Sequence, residues 1–190
     1  MEETVIIHLY EGSPEYCWYP NTRQELEELG FVVHVPKMPD PNHPRQDKWV
    51  TTLRETVRNP NRDAYLIGHS IGAVTILRYL EELPESKKIG GVVLVAGFID
   101  DMGYEIFSNF FTRPLDFSRI RNKADHFTVI ISDDDPYIDM KYGHELSEKL
   151  NGELIIKRGM QHMSQGFDSL PDVAIAIREM ERNKHEFNNA

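Results

Sequence analysis

The segment Gly68-His69-Ser70-Ile71-Gly72 fits the pattern G-x-S-x-G, which places a serine where it can attack a carbonyl group. An apolar run at residues 64–67 leads into it, and an apolar-periodic run beginning at Ala73 follows it. A serine on such a strand-to-helix turn has a crowded backbone, and the flanking glycines relieve the crowding. The turn raises the Ser70 hydroxyl and directs the Ile71 amide at the developing oxyanion. We therefore predict Ser70 as the nucleophile and the Ile71 amide as an oxyanion-hole donor.

A serine hydroxyl needs a base to take its proton, and in G-x-S-x-G enzymes the acid and then the histidine follow the serine. Of the 8 histidines, His162 lies in the loop between the last predicted strand and the last predicted helix. Enzymes with the G-x-S-x-G motif carry their catalytic histidine at this position, so we predict His162 as the base. We interpret His8 as part of the oxyanion-loop scaffold and expect the His69 side chain to point away from Ser70.

Acidic residues crowd the segment after the fifth predicted strand, at Asp133, Asp134, Asp135 and Asp139. Asp139 has the position of an N-cap for the helix that follows. Asp135 precedes Pro136, which favours an extended backbone that can reach across the loop. We predict Asp135 as the acid that orients His162, with Asp134 and Asp133 as the alternatives.

Two further parts of the chain are expected to border the site. The backbone amide of Leu9 or Tyr10, just after the first predicted strand, is the expected second oxyanion donor. Residues 98–114, here called the cap segment, are rich in aromatic residues and follow the fourth predicted strand, where insertions overhang a ligand crevice. So short a cap cannot enclose a long tunnel, which predicts a preference for short acyl groups. We expect Tyr10 and Phe107 to lie near the mouth of the site. The side chains that we predict to bind substrate there are Trp18, Phe98, Phe110, Phe111 and Met163.

Strand and helix patterns alternate along the chain. Short apolar runs predict six strands, at residues 4–9, 31–35, 64–67, 92–95, 127–131 and 153–156. Helical periodicity fills the intervals, and Thr22 with Glu25 has the spacing of a capping box for the first helix, which Gly30 ends. Continuous apolar strands separated by helices predict the α/β class, with a mostly parallel six-stranded sheet covered by helices on both faces. We expect a single domain over residues 1–190.

Charge and composition limit the partners and the compartment. The net charge of −10 argues against binding to nucleic acid or to anionic membranes. A single cysteine, Cys17, excludes an intrachain disulfide, and no signal peptide or membrane span is evident, so we expect a cytoplasmic protein. No histidine–cysteine cluster has metal-ligand spacing, and we expect neither a metal nor a cofactor.

Together these features resemble the small serine hydrolase family that includes YdeN-like bacterial proteins and the retinoblastoma-binding-protein hydrolases. The resemblance implies a compact α/β-hydrolase fold with Ser70, Asp135 and His162 as the catalytic triad. This chain departs from the family pattern at two positions. Leu9 stands where bacterial members often have glycine, and Gln161 stands where a glycine usually precedes the histidine. The resemblance rests on the motif around Ser70, the histidine loop and the segments His8-Leu9-Tyr10, Trp18-Tyr19-Pro20, Val95-Ala96-Gly97-Phe98 and Ser132-Asp133-Asp134-Asp135-Pro136.

The expected function is a serine hydrolase that cleaves small carboxylic esters or related acyl substrates through an acyl-enzyme. One alternative is a peptidase on short peptides, because both reactions use the same chemistry. The other is a protein-binding module on a hydrolase fold with little activity. The sequence L-x-C-x-E, expected of a retinoblastoma-protein ligand, is absent, so a protein partner is left open but not indicated.

Overall fold

The computed structural model describes residues 2–188, with side chains described for residues 2–184. Its centre is one six-stranded sheet in the order β2-β1-β3-β4-β5-β6, and every neighbouring pair of strands is parallel. The predicted α/β class and parallel sheet are confirmed. The strands are β1 Glu3–Ile7, β2 Val32–His34, β3 Ala64–His69, β4 Ile89–Val95, β5 Ala124–Ser132 and β6 Glu153–Lys157.

The two central strands explain why the apolar runs are continuous. All residues of β3 and β4 are buried, because helices cover both faces of the sheet. Helix α1 packs against α6 and β2, whereas α3 packs against α2, α4 and β3. The helices are α1 Tyr19–Glu28, α2 Gln46–Thr56, α3 Ile71–Glu82, α4 Phe117–Ile120, α5 Met140–Leu150 and α6 Pro171–Asn188, with a 3-10 helix at Glu105–Phe110.

Helix ends show where local signals succeed and where they fail. The predicted capping box is wrong, because α1 begins at Tyr19 and Thr22 is buried within it. Proline suits the first turn of a helix, and Pro20 occupies that turn. The predicted N-cap of α5 is confirmed, since the Asp139 carboxylate accepts a hydrogen bond from the Lys141 amide at 2.9 Å.

The carboxyl ends of four strands meet at one edge of the sheet. Strand β1 ends at Ile7, earlier than predicted, so Leu9 and Tyr10 belong to a loop above the sheet. Strand β3 ends directly before Ser70, and the loops after β5 and β6 carry the acidic segment and His162. Within residues 2–188, no helix has the length and apolar character needed to cross a bilayer.

Candidate active site

Ser70 occupies the sharp turn between β3 and α3. Its backbone has φ 57° and ψ −119°, a conformation that a residue with a side chain rarely adopts. Glycine is required on both sides of the turn: a Cβ at Gly68 would lie 2.6 Å from the Ala73 Cα, and one at Gly72 would collide with the Ile7 carbonyl. Ile71 is the first residue of α3, so its amide has no acceptor within the helix. The turn therefore presents a serine hydroxyl together with an available amide donor.

His162 and Asp135 form a close polar pair above β5 and β6. The His162 Nδ1 donates to Asp135 Oδ2 at 2.7 Å, and their side chains are only 10% and 2% exposed. The other oxygen of Asp135 accepts the amides of Tyr137 at 2.9 Å and Ile138 at 3.0 Å. The carboxylate is thus fixed from two sides, and in the neutral ring the hydrogen is on Nδ1. That tautomer leaves His162 Nε2 as a proton acceptor.

The neighbouring aspartates hold the backbone of the histidine loop (residues 158–163) instead. Asp134 Oδ1 accepts the Gln161 amide at 2.7 Å, and Asp133 Oδ1 accepts the Gly159 amide at 3.0 Å. Hydrogen bonds from Ser132 and from the Gln161 amide lower the pKa of Asp134. Of the three candidate acids, only Asp135 contacts the His162 ring, which favours the assignment made from the sequence.

A buried chain of hydrogen bonds links the serine turn to both neighbouring loops. His69 Nε2 lies 2.9 Å from the His162 carbonyl, and Tyr19 Oη lies 2.8 Å from His69 Nδ1. A carbonyl accepts only, so Nε2 carries the hydrogen, and the Tyr19 hydroxyl must donate to Nδ1. The Tyr19 oxygen in turn accepts the Leu9 amide at 3.1 Å. Burial, together with the charge of the neighbouring histidines, lowers the pKa of His69 well below its usual range, so this ring stays neutral.

The loop after β1 (residues 8–18, the oxyanion loop) is also fixed by its Leu9 peptide group. The Leu9 carbonyl accepts the Gly12 amide at 3.1 Å and lies 2.8 Å from His8 Nδ1. His8 Nε2 accepts the Met38 amide at 3.1 Å, so its Nδ1 donates to Leu9. Because the Leu9 amide is already bonded to Tyr19, it is not available to an oxyanion. This removes one of the two predicted donors and leaves the Tyr10 amide.

Ser70 and His162 line one cavity of about 610 Å³. Its wall is mainly aromatic and aliphatic, and the cap segment supplies part of it. Within the described side chains, no group of three or more His, Cys, Asp or Glu residues is arranged to hold a metal ion. The aromatic and aliphatic residues of this wall include Tyr10, Tyr16, Tyr104, Ile106, Phe107 and Tyr137.

All five of the side chains predicted to bind substrate lie outside the cavity wall, which corrects that part of the sequence analysis. Trp18, Phe98, Phe110 and Met163 are completely buried in the core and do not line the cavity. The Trp18 indole instead donates to the Met163 carbonyl at 2.9 Å, which ties α1 to the histidine loop. Phe111, also outside the cavity wall, stacks near Phe98 with its ring centre 5.8 Å away. Proximity along the chain suggests these positions, but core packing determines where their side chains point.

The cavity wall contains residues that the sequence analysis missed. Tyr16 and Glu11 belong to the oxyanion loop, Tyr104 and Ile106 to the cap segment, and Tyr137 to the loop after β5. All of them lie in segments that follow the carboxyl ends of strands. That position is the one signal in the sequence that could have identified them. The Tyr137 ring stands edge-on to His162 with centres 5.3 Å apart.

The comparison with known proteins gives a consistent result across most of the chain. The family model described as serine hydrolase matches residues 4–179. YdeN of Bacillus subtilis is 31% identical over 175 residues, which cover 90% of this chain and 92% of that protein. The serine hydrolase RBBP9 of Rattus norvegicus is 31% identical over 140 residues, covering 72% of this chain and 73% of that protein. The crystal structure of the ydeN gene product from B. subtilis superposes with a TM-score of 0.91 at 29% identity, covering 96% and 100% of the two chains.

Proposed function

The chain belongs to the serine hydrolase family, and from that premise we propose that it hydrolyses small carboxylic esters through a Ser70–His162–Asp135 triad. The observation that carries the proposal is the 2.7 Å hydrogen bond between His162 Nδ1 and Asp135, at the wall of the cavity that also contains Ser70. This bond selects the tautomer in which His162 can act as a base. The apolar wall suits an uncharged acyl or alcohol group better than a strongly polar one.

In the first half of the reaction, the Ser70 hydroxyl oxygen attacks the ester carbonyl carbon while His162 takes the hydroxyl proton. The carbonyl oxygen becomes an oxyanion, which accepts hydrogen bonds from the amides of Ile71 and Tyr10. Asp135 stabilises the imidazolium that forms. The tetrahedral intermediate collapses, the alcohol leaves with the proton from His162, and the acyl group stays on Ser70.

In the second half, water repeats the attack on the acyl-enzyme. His162 takes a proton from water, and the hydroxide adds to the acyl carbon. When the second intermediate collapses, the Ser70 oxygen leaves and regains its proton from His162. The products are a carboxylic acid and the free enzyme, so no other reactant is needed.

The test compares 4-nitrophenyl esters of graded acyl length with aminoacyl-4-nitroanilides, together with labelling by a fluorophosphonate. We expect ester hydrolysis to exceed anilide hydrolysis and the label to be lost in Ser70→Ala. Ser164→Ala is the matched control, since Ser164 lines the same cavity but has no role in the proposed reaction. Equal labelling of Ser70→Ala and of the natural protein would refute the assignment of Ser70 as the nucleophile. Faster anilide hydrolysis would instead identify a peptidase.

A further inference from the structure

The cavity beside Ser70 is asymmetric in charge. Among the described residues that line it, Glu11 is the only acidic one, and none is lysine or arginine. The backbone at Glu11 has φ 56°, and its amide donates to the Pro41 carbonyl at 3.0 Å, which fixes the position of this residue at the cavity while its side chain stays exposed. The net charge of −10 adds to the negative potential around this opening. The entrance therefore disfavours an anionic substrate and favours a cationic one.

Three aromatic side chains of the wall, Tyr10, Tyr104 and Phe107, lie together and are here called the ring cluster. The rings of Tyr10 and Phe107 are 5.5 Å apart and nearly perpendicular, at 88°. The rings of Tyr104 and Phe107 are 6.1 Å apart at 68°. Rings at such angles present faces in different directions, and a cation within about 6 Å of a ring face is attracted by its quadrupole.

Glu11 lies beside this ring cluster. Burial, then the negative charge of Glu11 and a hydrogen bond to its carboxylate, raise the pKa of the Tyr10 hydroxyl, and both residues line the same cavity, so the carboxylate lies close to the Tyr10 hydroxyl. A cationic group satisfies the carboxylate and the ring faces together. The wall is thus complementary to a positive charge with an apolar surface, such as a substituted ammonium group.

We infer that the site selects esters that carry a substituted ammonium group, bound between Glu11 and the ring cluster while Ser70 attacks the ester carbonyl. This inference rests on the proposed ester hydrolysis and adds the charge class of the substrate. The cation remains unchanged in the reaction and contributes only to binding. Glu11 and Phe107 are then residues that determine specificity.

The experiment uses three thioacetates with the same acyl group: acetylthiocholine, its uncharged isostere 3,3-dimethylbutyl thioacetate, and the anion 2-(acetylthio)ethanesulfonate. The released thiol is measured in each case. We expect kcat/KM for the cation to exceed that for the isostere by about tenfold, from ring and carboxylate contacts together, and the anion to be hydrolysed most slowly.

Two variants and one control assign the selectivity to residues. Glu11→Gln should lower the ratio of cation to anion hydrolysis severalfold, and Phe107→Leu should lower the ratio of cation to isostere. Glu15→Gln is the matched control, because Glu15 is an exposed residue of the same oxyanion loop outside the cavity wall. It removes the same charge and should leave both ratios unchanged.

Hydrolysis of the isostere at the same rate as the cation, or faster, would overturn the inference while leaving ester hydrolysis established. An equal effect of Glu11→Gln and Glu15→Gln would also overturn it, because net charge alone would then explain the selectivity. A second readout does not need turnover: tetramethylammonium should slow fluorophosphonate labelling of Ser70 more than neopentyl alcohol does at equal concentration. Equal protection by the two compounds would contradict a cation site even if no thioacetate were hydrolysed.

Discussion

Replacing Tyr19 by phenylalanine removes one oxygen atom from the buried link between the serine turn and the oxyanion loop. That oxygen accepts the Leu9 amide at 3.1 Å, and its hydrogen is donated to His69 Nδ1 at 2.8 Å. The variant leaves both groups buried without a partner, at a cost of about 1–3 kcal/mol for each. We therefore expect the free energy of unfolding to decrease by about 2–6 kcal/mol. For a chain of 190 residues, each kcal/mol corresponds to about 2–4 °C in Tm.

The same substitution should reduce kcat more than it changes KM. Tyr19 fixes the hydrogen of His69 on Nε2, where it binds the His162 carbonyl at 2.9 Å. Gln161 and Met163, on either side of His162, have φ values of 48° and 51°, so this loop depends on such contacts to keep a strained backbone. Without the Tyr19 hydroxyl, the base is less well positioned, whereas the apolar cavity wall is unchanged. Thermal unfolding by circular dichroism and ester kinetics well below Tm measure the two effects.

Tyr79→Phe is the matched control, because it removes the same atom from another buried tyrosine. The Tyr79 hydroxyl has no hydrogen-bond partner among the described residues, so its loss should leave Tm and kcat nearly unchanged. If Tyr19→Phe and Tyr79→Phe shift Tm equally, the buried link contributes nothing specific to stability. If Tyr19→Phe lowers Tm but leaves kcat intact, the link stabilises the fold without positioning His162.

Three further predictions concern the acid, pH and substrate length. Asp135→Asn should lower kcat on the order of ten-thousand-fold, and Asp134→Asn much less, because Asp134 binds the Gln161 backbone rather than the His162 ring; equal losses in the nitrophenyl ester assay would contradict this. Because burial depresses the folded-state pKa of His69, the unfolded chain takes up a proton that the folded chain does not as the pH falls below about 6.5, and the free energy of unfolding decreases. The urea midpoint should therefore decrease between about pH 7.5 and about pH 5.5, and His69→Gln should lose part of that pH dependence. Across nitrophenyl esters, kcat/KM should peak at short acyl chains because the cap segment is short, and a steady rise to long chains would indicate a lipase-like groove.

The features predicted correctly from the sequence are those that local patterns encode. The sheet follows from continuous apolar runs, and the strained turn at Ser70 follows from glycines that have no room for a side chain. The position of Asp135 before a proline favours an extended backbone that reaches across the loop, and the Asp135 carboxylate does contact the His162 ring, while its catalytic role stays a prediction. In each case the physical cause lies within a few residues of the feature.

The buried link was not predictable in this way. Tyr19, His69 and His162 are separated by 50 and 93 residues along the chain, and nothing near any of them indicates its partners. From the sequence, Tyr19 belongs only to an aromatic–proline segment at the start of a helix. Its role depends on where α1 packs, which is a property of the assembled layers. The choice between the amides of Leu9 and Tyr10 depends on the same contact, and so it too needed the structure.

The cap segment shows why counting aromatic residues near a site does not identify those that line its cavity. Arg78 of α3 is fully buried and donates to the Phe110 carbonyl at 2.8 Å and to the Arg113 carbonyl at 2.6 Å. Its positive charge is balanced by the Glu81 carboxylate, 2.8 Å away, so neither of these two buried charges lacks a partner. This anchor fixes the end of the 3-10 helix and holds the Phe110 ring against Trp49. Because successive side chains of that helix point in different directions, Phe107 then reaches the cavity. An ion pair on α3 therefore determines which ring of the 3-10 helix reaches the cavity.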